Sequence, residues 1–114
     1  MTGPLREGLE ITPTEAAHWV ASGRGVLVDI RRPDELDLAR VPGAEWLPMG
    51  DLLDRIDELD VDEDTPIAVL CHHGVRSLKM TLALHAIGYT GARSVAGGIE
   101  AWSATVDPTI PHYA

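Results

Sequence analysis

One segment joins a nucleophile to groups that could activate it: Cys71-His72-His73-Gly74-Val75-Arg76-Ser77, which contains the single cysteine of the chain. It follows the apolar run Ile67-Ala68-Val69-Leu70, the pattern of a buried strand, and leads into a mostly apolar helical stretch from about Val75 to Ile87, stopped by Gly88. A chain that leaves a strand, turns tightly and enters a helix can aim successive backbone N–H groups inward as an anion-binding nest. The helix N-terminus adds unpaired donors and the positive end of its dipole. A thiol placed there has its thiolate stabilised, and the thiolate is the nucleophilic form. Gly74 permits a positive φ in the turn, and Arg76 offers a two-pronged donor to an oxyanion. The competing reading is a buried, inert cysteine, the commoner fate of a lone Cys in a core. The strand-end position favours the reactive one.

Other combinations carry less. Cys71, His72 and His73 invite a metal, but consecutive side chains diverge and no distant Cys or His cluster completes a ligand set. No metal and no cofactor is expected. Asp60, Asp62 and Asp64 resemble the start of a calcium loop, yet the sixth position is Thr65 rather than Gly and the twelfth is Cys71 rather than Glu. That stretch reads as a solvated acidic loop. His18 and His85 fall on expected helices as surface or packing residues, and Trp19, Trp46 and Trp102 are expected in the core.

The elements that must position Cys71 are punctuated by glycine and proline. Thr12-Pro13-Thr14-Glu15 has the form of a capping box with Pro13 at the first helical position, and Gly23 suits the stop of that helix. Val26-Leu27-Val28-Asp29-Ile30 is a second buried strand, and Pro33 opens a short acidic helix over about 33–39. Val41-Pro42-Gly43-Ala44 turns into a brief strand around Trp46 and Leu47. Asp51 could cap a helix carrying Leu52, Ile56 and Leu59 at helical spacing. Ala92 to Ala96 forms another short strand, and Gly97-Gly98 leads into a last helix with Ile99, Ala101 and Trp102. Strands alternating with helices imply an α/β fold, a parallel sheet of about five strands flanked by helices on both faces. Ligands of such sheets bind beyond the carboxyl ends of the strands, where Cys71 stands.

At 114 residues the chain is expected to form one domain, residues 1–114. One cysteine excludes an internal disulfide framework. Eighteen acidic against nine basic residues, a net charge of −9, argue against nucleic acid and against anionic membranes as partners. The apolar runs are far shorter than the roughly 20 residues that cross a bilayer, and Met1 to Gly8 has no apolar leader core. A soluble, cytoplasmic protein with a reduced thiol is expected.

The loop Cys71 to Ser77 resembles the active-site loop of single-domain rhodaneses, which are sulfurtransferases. The resemblance extends over nearly the whole chain. Leu27-Val28-Asp29-Ile30-Arg31, then Glu35, then Val41-Pro42-Gly43-Ala44 look like the family's amino-terminal signature, and Val95-Ala96-Gly97-Gly98-Ile99-Glu100-Ala101-Trp102 like its carboxyl-terminal one. Arg40 departs from the histidine usual before the Pro-Gly turn, at a position that supports the fold. Val106-Asp107-Pro108-Thr109-Ile110-Pro111-His112-Tyr113 looks like the ending of rhodanese domains fused to adenylylating enzymes that activate ubiquitin-like sulfur carriers; its bland alternative is a proline-fixed tail packed on the domain.

The resemblance implies a mechanism. The Cys71 thiolate would take the outer sulfur of a small donor such as thiosulfate, becoming a persulfide that a nucleophilic acceptor then discharges: cyanide in vitro, a sulfur-carrier protein or its activating enzyme in the cell. The amides of residues 72 to 76, hence of His72, His73, Gly74 and Val75, would cradle the persulfide with Ser77, and Arg76 would assist by charge. Asp29 and Arg31 would support the loop as a buried pair, with an ordinary surface salt bridge as the equal alternative. Cell-division-cycle-type phosphatases share this fold but place five residues between cysteine and arginine; here four separate Cys71 from Arg76, which disfavours phosphate. The alternative of a different class is a non-catalytic rhodanese module that binds a partner protein.

Overall fold

The computed structural model describes residues 5–114; residues 1–4, which open the segment read above as lacking a leader, lie outside the described residues. The elements run β1 (Glu10–Ile11), α1 (Pro13–Ser22), β2 (Val26–Asp29), α2 (Pro33–Leu38), β3 (Glu45–Trp46), a 3-10 helix (Ile56–Leu59), β4 (Ile67–Leu70), α3 (Val75–Ala86), β5 (Ala92–Val95) and α4 (Gly98–Thr105). The five strands pair in parallel in the order β1-β5-β4-β2-β3. This is the expected α/β architecture.

Strand side chains alternate between two apolar layers. Leu27, Ala68 and Leu70 meet Trp19 of α1 and Trp102 of α4 on one face. Val28, Ile67 and Val69 meet Leu84 of α3 and Ile56 and Leu59 of the 3-10 helix on the other. Central strands covered on both faces favour apolar residues at every position, which is why β4 is apolar throughout and β2 is apolar up to Asp29 at its carboxyl end. Cys71 belongs to the α3 layer.

Local chemistry sets the element ends. Glu15 N–H donates to Thr12 Oγ1 at 3.1 Å to start α1, and Gly23 ends it at φ 74°. At α2, Pro33 occupies the first turn and the Arg32 N–H donates to the Glu35 carboxylate at 3.2 Å.

Two sequence expectations are corrected. Asp51 does not open an α-helix: the segment passes through turns into the 3-10 helix, although Leu52, Ile56 and Leu59 are buried as their spacing demanded. Asp51, Asp54, Asp57 and Asp60 recur through this segment; aspartate is a poor helix former, and Asp60 closes the 3-10 helix in the left-handed region at φ 54°. Trp46 is not core; it is 43% exposed on the two-residue edge strand β3, with its indole N–H donating to the Arg31 carbonyl at 2.8 Å. The strand β1, too short to show a period, was not among those read individually from the sequence. No helix among the described residues is long and apolar enough to cross a membrane.

Candidate active site

Cys71 follows the last residue of β4 and is 1% exposed. Three groups converge on its sulfur. The backbone N–H of Gly74 donates to Sγ at 3.1 Å, that of Ser77 donates at 3.3 Å, and the Ser77 hydroxyl lies 3.3 Å away. Of the amides expected to form the cradle, Gly74 touches the sulfur, and Ser77, one residue beyond that range, joins it. Behind Ser77 lies Ser94 of β5, also fully buried, with the two hydroxyl oxygens 2.7 Å apart. Ser77 is held from α3 as well, since Thr81 Oγ1 donates to its carbonyl at 2.8 Å. Fixed donors around a buried sulfur favour negative charge on it, or on an atom bonded to it, without reorganisation when that charge appears.

The turn that makes this possible is clamped by α4. Gly74, at φ 96°, caps the start of α3. Opposite it, the N–H groups of Ile99 and Glu100 donate to the carbonyls of Cys71 and His72 at 2.8 and 3.2 Å. That approach requires glycine at 98: a Cβ there would stand 2.5 Å from the Cys71 carbonyl oxygen and closer still to that of His72, and φ is +61°. The paired glycines 97 and 98 therefore bring one helix onto the loop that begins another.

Arg76 points into an ion-pair network. Its two terminal nitrogens donate to the two oxygens of Glu35 at 2.7 and 2.9 Å. Glu35 is nearly fully buried, and it also accepts the Tyr113 hydroxyl at 2.7 Å. The Arg76 hydrogen bonds, helped by that of Tyr113 and opposed by burial, hold the Glu35 carboxyl down at about 2. The same pairing raises the Arg76 guanidinium above its ordinary value. Burial first, then the bond to Glu35, pushes the Tyr113 phenol up to about 12.

Asp29 and Arg31 sit together beneath this network, both buried. All five N–H donors of Arg31 are engaged: Nε on Asp29, one terminal nitrogen on the Glu35 carbonyl and the Tyr113 oxygen, the other on Asp29 and the Ala39 carbonyl. Burial works against this charge, and the hydrogen bonds to Asp29 and Tyr113 outweigh it, so the guanidinium stays above its ordinary value.

The remaining loop residues divide by exposure. The His72 ring is sandwiched, 3.8 Å from the His73 ring on one side and 3.8 Å from the Tyr113 ring on the other. Burial, then the neighbouring His73, lowers its pKa, so His72 is neutral near pH 7. Its Nε2 is buried and has no hydrogen-bond partner. His73 is exposed, and Val75 is 68% exposed at the start of α3. Among the described residues, no group of three or more His, Cys, Asp or Glu comes together as a metal site.

Three participants were not assigned roles from the sequence. Ser94 lacked any local signal on its strand. Glu35 had one, an acidic residue two positions after a helix-opening proline that turns inward. Tyr113 lay in the tail motif, but nothing in a linear pattern places it 82 residues away against Arg31.

Comparison with known proteins shows the family of the chain. The family described as Rhodanese-like domain matches residues 12–105. A probable adenylyltransferase/sulfurtransferase of Mycobacterium tuberculosis, MoeZ, is 32% identical over 108 residues, covering 94% of this chain and 28% of its own. The chain spans less than a third of the length of the first curated relatives it matches. The thiosulfate sulfurtransferase GlpE of Pseudomonas syringae is 33% identical over 93 residues, covering 82% of this chain and 86% of its own. A solved human single-domain sulfurtransferase superposes with a TM-score of 0.71 at 26% identity, covering 84% of this chain and 96% of that one.

Proposed function

The chain belongs to the rhodanese-like domain family, and from that premise we propose that it is a sulfurtransferase that carries sulfane sulfur on Cys71. The observation that supports this most is the convergence of the Gly74 and Ser77 amides and the Ser77 hydroxyl on one buried sulfur. In the loading step the Cys71 thiolate attacks the outer sulfur of a sulfane donor. A new S–S bond forms as the donor's S–S bond breaks, and its electron pair leaves with the departing group, sulfite in the case of thiosulfate. In the unloading step an acceptor nucleophile attacks the same outer sulfur and the thiolate is regenerated. In this reading the Gly74 and Ser77 amides that face Sγ hold the persulfide.

The acceptor we propose is a protein, a sulfur carrier or its activating enzyme. Relatives named as joint adenylyltransferases and sulfurtransferases support this, as does the charge of −9, which repels small anions while speeding encounter with a basic protein face. Transfer to such an acceptor should therefore slow as salt rises.

Intact-mass measurement after incubation with a sulfane donor tests the assignment. Wild type should gain one sulfur, released by cyanide, and Cys71→Ser should gain none. Equal cyanide-labile sulfur in both proteins, or none in either with any donor, would overturn it.

A further inference from the structure

We propose that Ser94 is a positioning residue of the unloading step: it holds the Ser77 hydroxyl on the Cys71 sulfur as that sulfur becomes a leaving group. The inference rests on the sulfurtransferase reading above and gives a role to a buried group which that reading leaves unused. Ser94 lies on β5, an inner strand of the sheet, and is fully buried. Such positions favour apolar side chains, and a buried hydroxyl is unfavourable unless it is bonded. Ser94 faces α3, where its oxygen stands 2.7 Å from that of Ser77, and it reaches the Gly74 carbonyl at 3.4 Å.

These groups form a chain from the Cys71 sulfur to the Ser77 hydroxyl, the Ser94 hydroxyl and the Gly74 carbonyl, at 3.3, 2.7 and 3.4 Å. Each hydroxyl has one hydrogen to give and can accept in return, so the chain can run in either direction. With a thiol, the hydrogens point away from sulfur: S–H to Ser77, Ser77 to Ser94, Ser94 to the carbonyl. With a thiolate they point toward it, Ser94 donating to Ser77 and Ser77 to Sγ. The Gly74 carbonyl is not orphaned by this reversal, because it also accepts the Leu78 N–H at 3.2 Å. Two hydroxyls rotate and no heavier atom moves. Because the chain ends on a carbonyl, it orients a hydrogen and does not carry a proton away.

The direction of charge flow decides which step this serves. In loading, negative charge leaves Sγ as the thiolate attacks. In unloading, it returns. With cyanide as acceptor, Cys71–S–S⁻ plus CN⁻ gives Cys71–S⁻ plus SCN⁻: a C–S bond forms on the outer sulfur, the S–S bond breaks, and its electron pair passes to Sγ. Two negative charges are present before and after. Donors already aimed at Sγ therefore speed unloading. The Gly74 and Ser77 amides are aimed by the backbone. A serine hydroxyl in the first turn of a helix is not, since it can rotate to a backbone carbonyl instead. The bond to Ser94 removes that freedom.

The test loads Cys71 from thiosulfate or inorganic polysulfide, removes the donor, and follows loss of the sulfur to cyanide by intact mass. Ser94→Ala should lower the ratio of unloading rate to loading rate about three- to tenfold, the scale of one hydrogen bond. Ser77→Ala should lower it at least as much. Ser94→Ala added to Ser77→Ala should lower it no further, because Ser94 acts through Ser77. Ser94→Thr, which keeps the hydroxyl, should hold the wild-type ratio, and Ser94→Val, which has the same shape without it, should not. That pair decides if Ser94→Ala does not fold. A residue needed for packing alone would slow both steps alike and leave the ratio where it was. An unchanged ratio in Ser94→Ala or Ser94→Val, a Ser94→Thr as impaired as Ser94→Val, or an equal further loss on top of Ser77→Ala would overturn the inference and leave the sulfurtransferase reading standing. Loading of wild type by neither donor would overturn that reading instead.

Discussion

Replacing Gly98 by alanine strikes the contact through which α4 holds the Cys71 loop. Alanine at φ +61° carries a left-handed penalty of about 1–2 kcal/mol. Its Cβ would also overlap backbone atoms of Cys71 and His72, which cannot swing aside as a side-chain end could. Relief requires α4 to retreat, weakening the Ile99 and Glu100 hydrogen bonds to the loop carbonyls, each worth about 1 kcal/mol. Against this, alanine restricts the unfolded chain and returns about 0.4–1 kcal/mol. The net loss is about 2–3 kcal/mol. Gly23 supplies the control, since it has a similar φ of +74° and nothing within 4 Å of its Cβ position; Gly23→Ala should cost about 1 kcal/mol. Urea unfolding measures both, and with m about 1–3 kcal/mol/M the Gly98→Ala midpoint should fall by about 0.7–3 M. Sulfur loading of Cys71 should fall in Gly98→Ala and stay at the wild-type level in Gly23→Ala. If the two variants lose the same stability, the clamp is not what glycine provides at position 98.

Glu35 titrates at about 2 in the folded protein against 4.5 for the free side chain, so the folded state holds its carboxylate more tightly. Its contribution to stability is full above about pH 4.5 and disappears as pH falls toward 2; acid unfolding curves should show this and Glu35→Gln should flatten it. Tyr113→Phe keeps the ring against His72 but leaves a buried Arg31 N–H without its acceptor and Glu35 Oε2 with Arg76 as its remaining donor, and should cost about 1–3 kcal/mol by thermal or urea unfolding. Hydrolysis of an aryl phosphate should be absent from wild type; robust hydrolysis that is lost in Cys71→Ser would replace sulfur transfer with phosphatase chemistry.

What could be read from the sequence was local. Strand β4, the turn at Gly74 and the helix after it are encoded within consecutive residues, so Cys71 was legible as a strand-end cysteine before any tertiary contact was known. The paired glycines 97 and 98 were visible, but the reason for them was not: it lies in the carbonyls of Cys71 and His72, on a different strand end. Arg76 read as a free two-pronged donor because its partner, Glu35, stands 41 residues away. The tail showed the opposite case. Its prolines and Tyr113 read as a partner-linked ending with packing as the bland alternative, and burial of Ile110 together with the Tyr113 contacts packs the tail against the Glu35 network. Asp51 misled because spacing alone fixes which side chains turn inward, while backbone geometry also depends on the helix-averse aspartates between them.

The position of Trp46 has an optical consequence. Trp19 and Trp102 are enclosed in the layer between α1 and α4, whereas Trp46 stands half in water with its indole bonded to the Arg31 carbonyl. Collisional quenching by acrylamide should therefore act first on one fluorophore, and that fluorophore adjoins the ion-pair network under the loop. Arrival of a donor or loss of Tyr113 that shifts Arg31 would alter the emission of Trp46 while the other two remain a steady internal reference, so the native chain carries its own reporter of the site without a label.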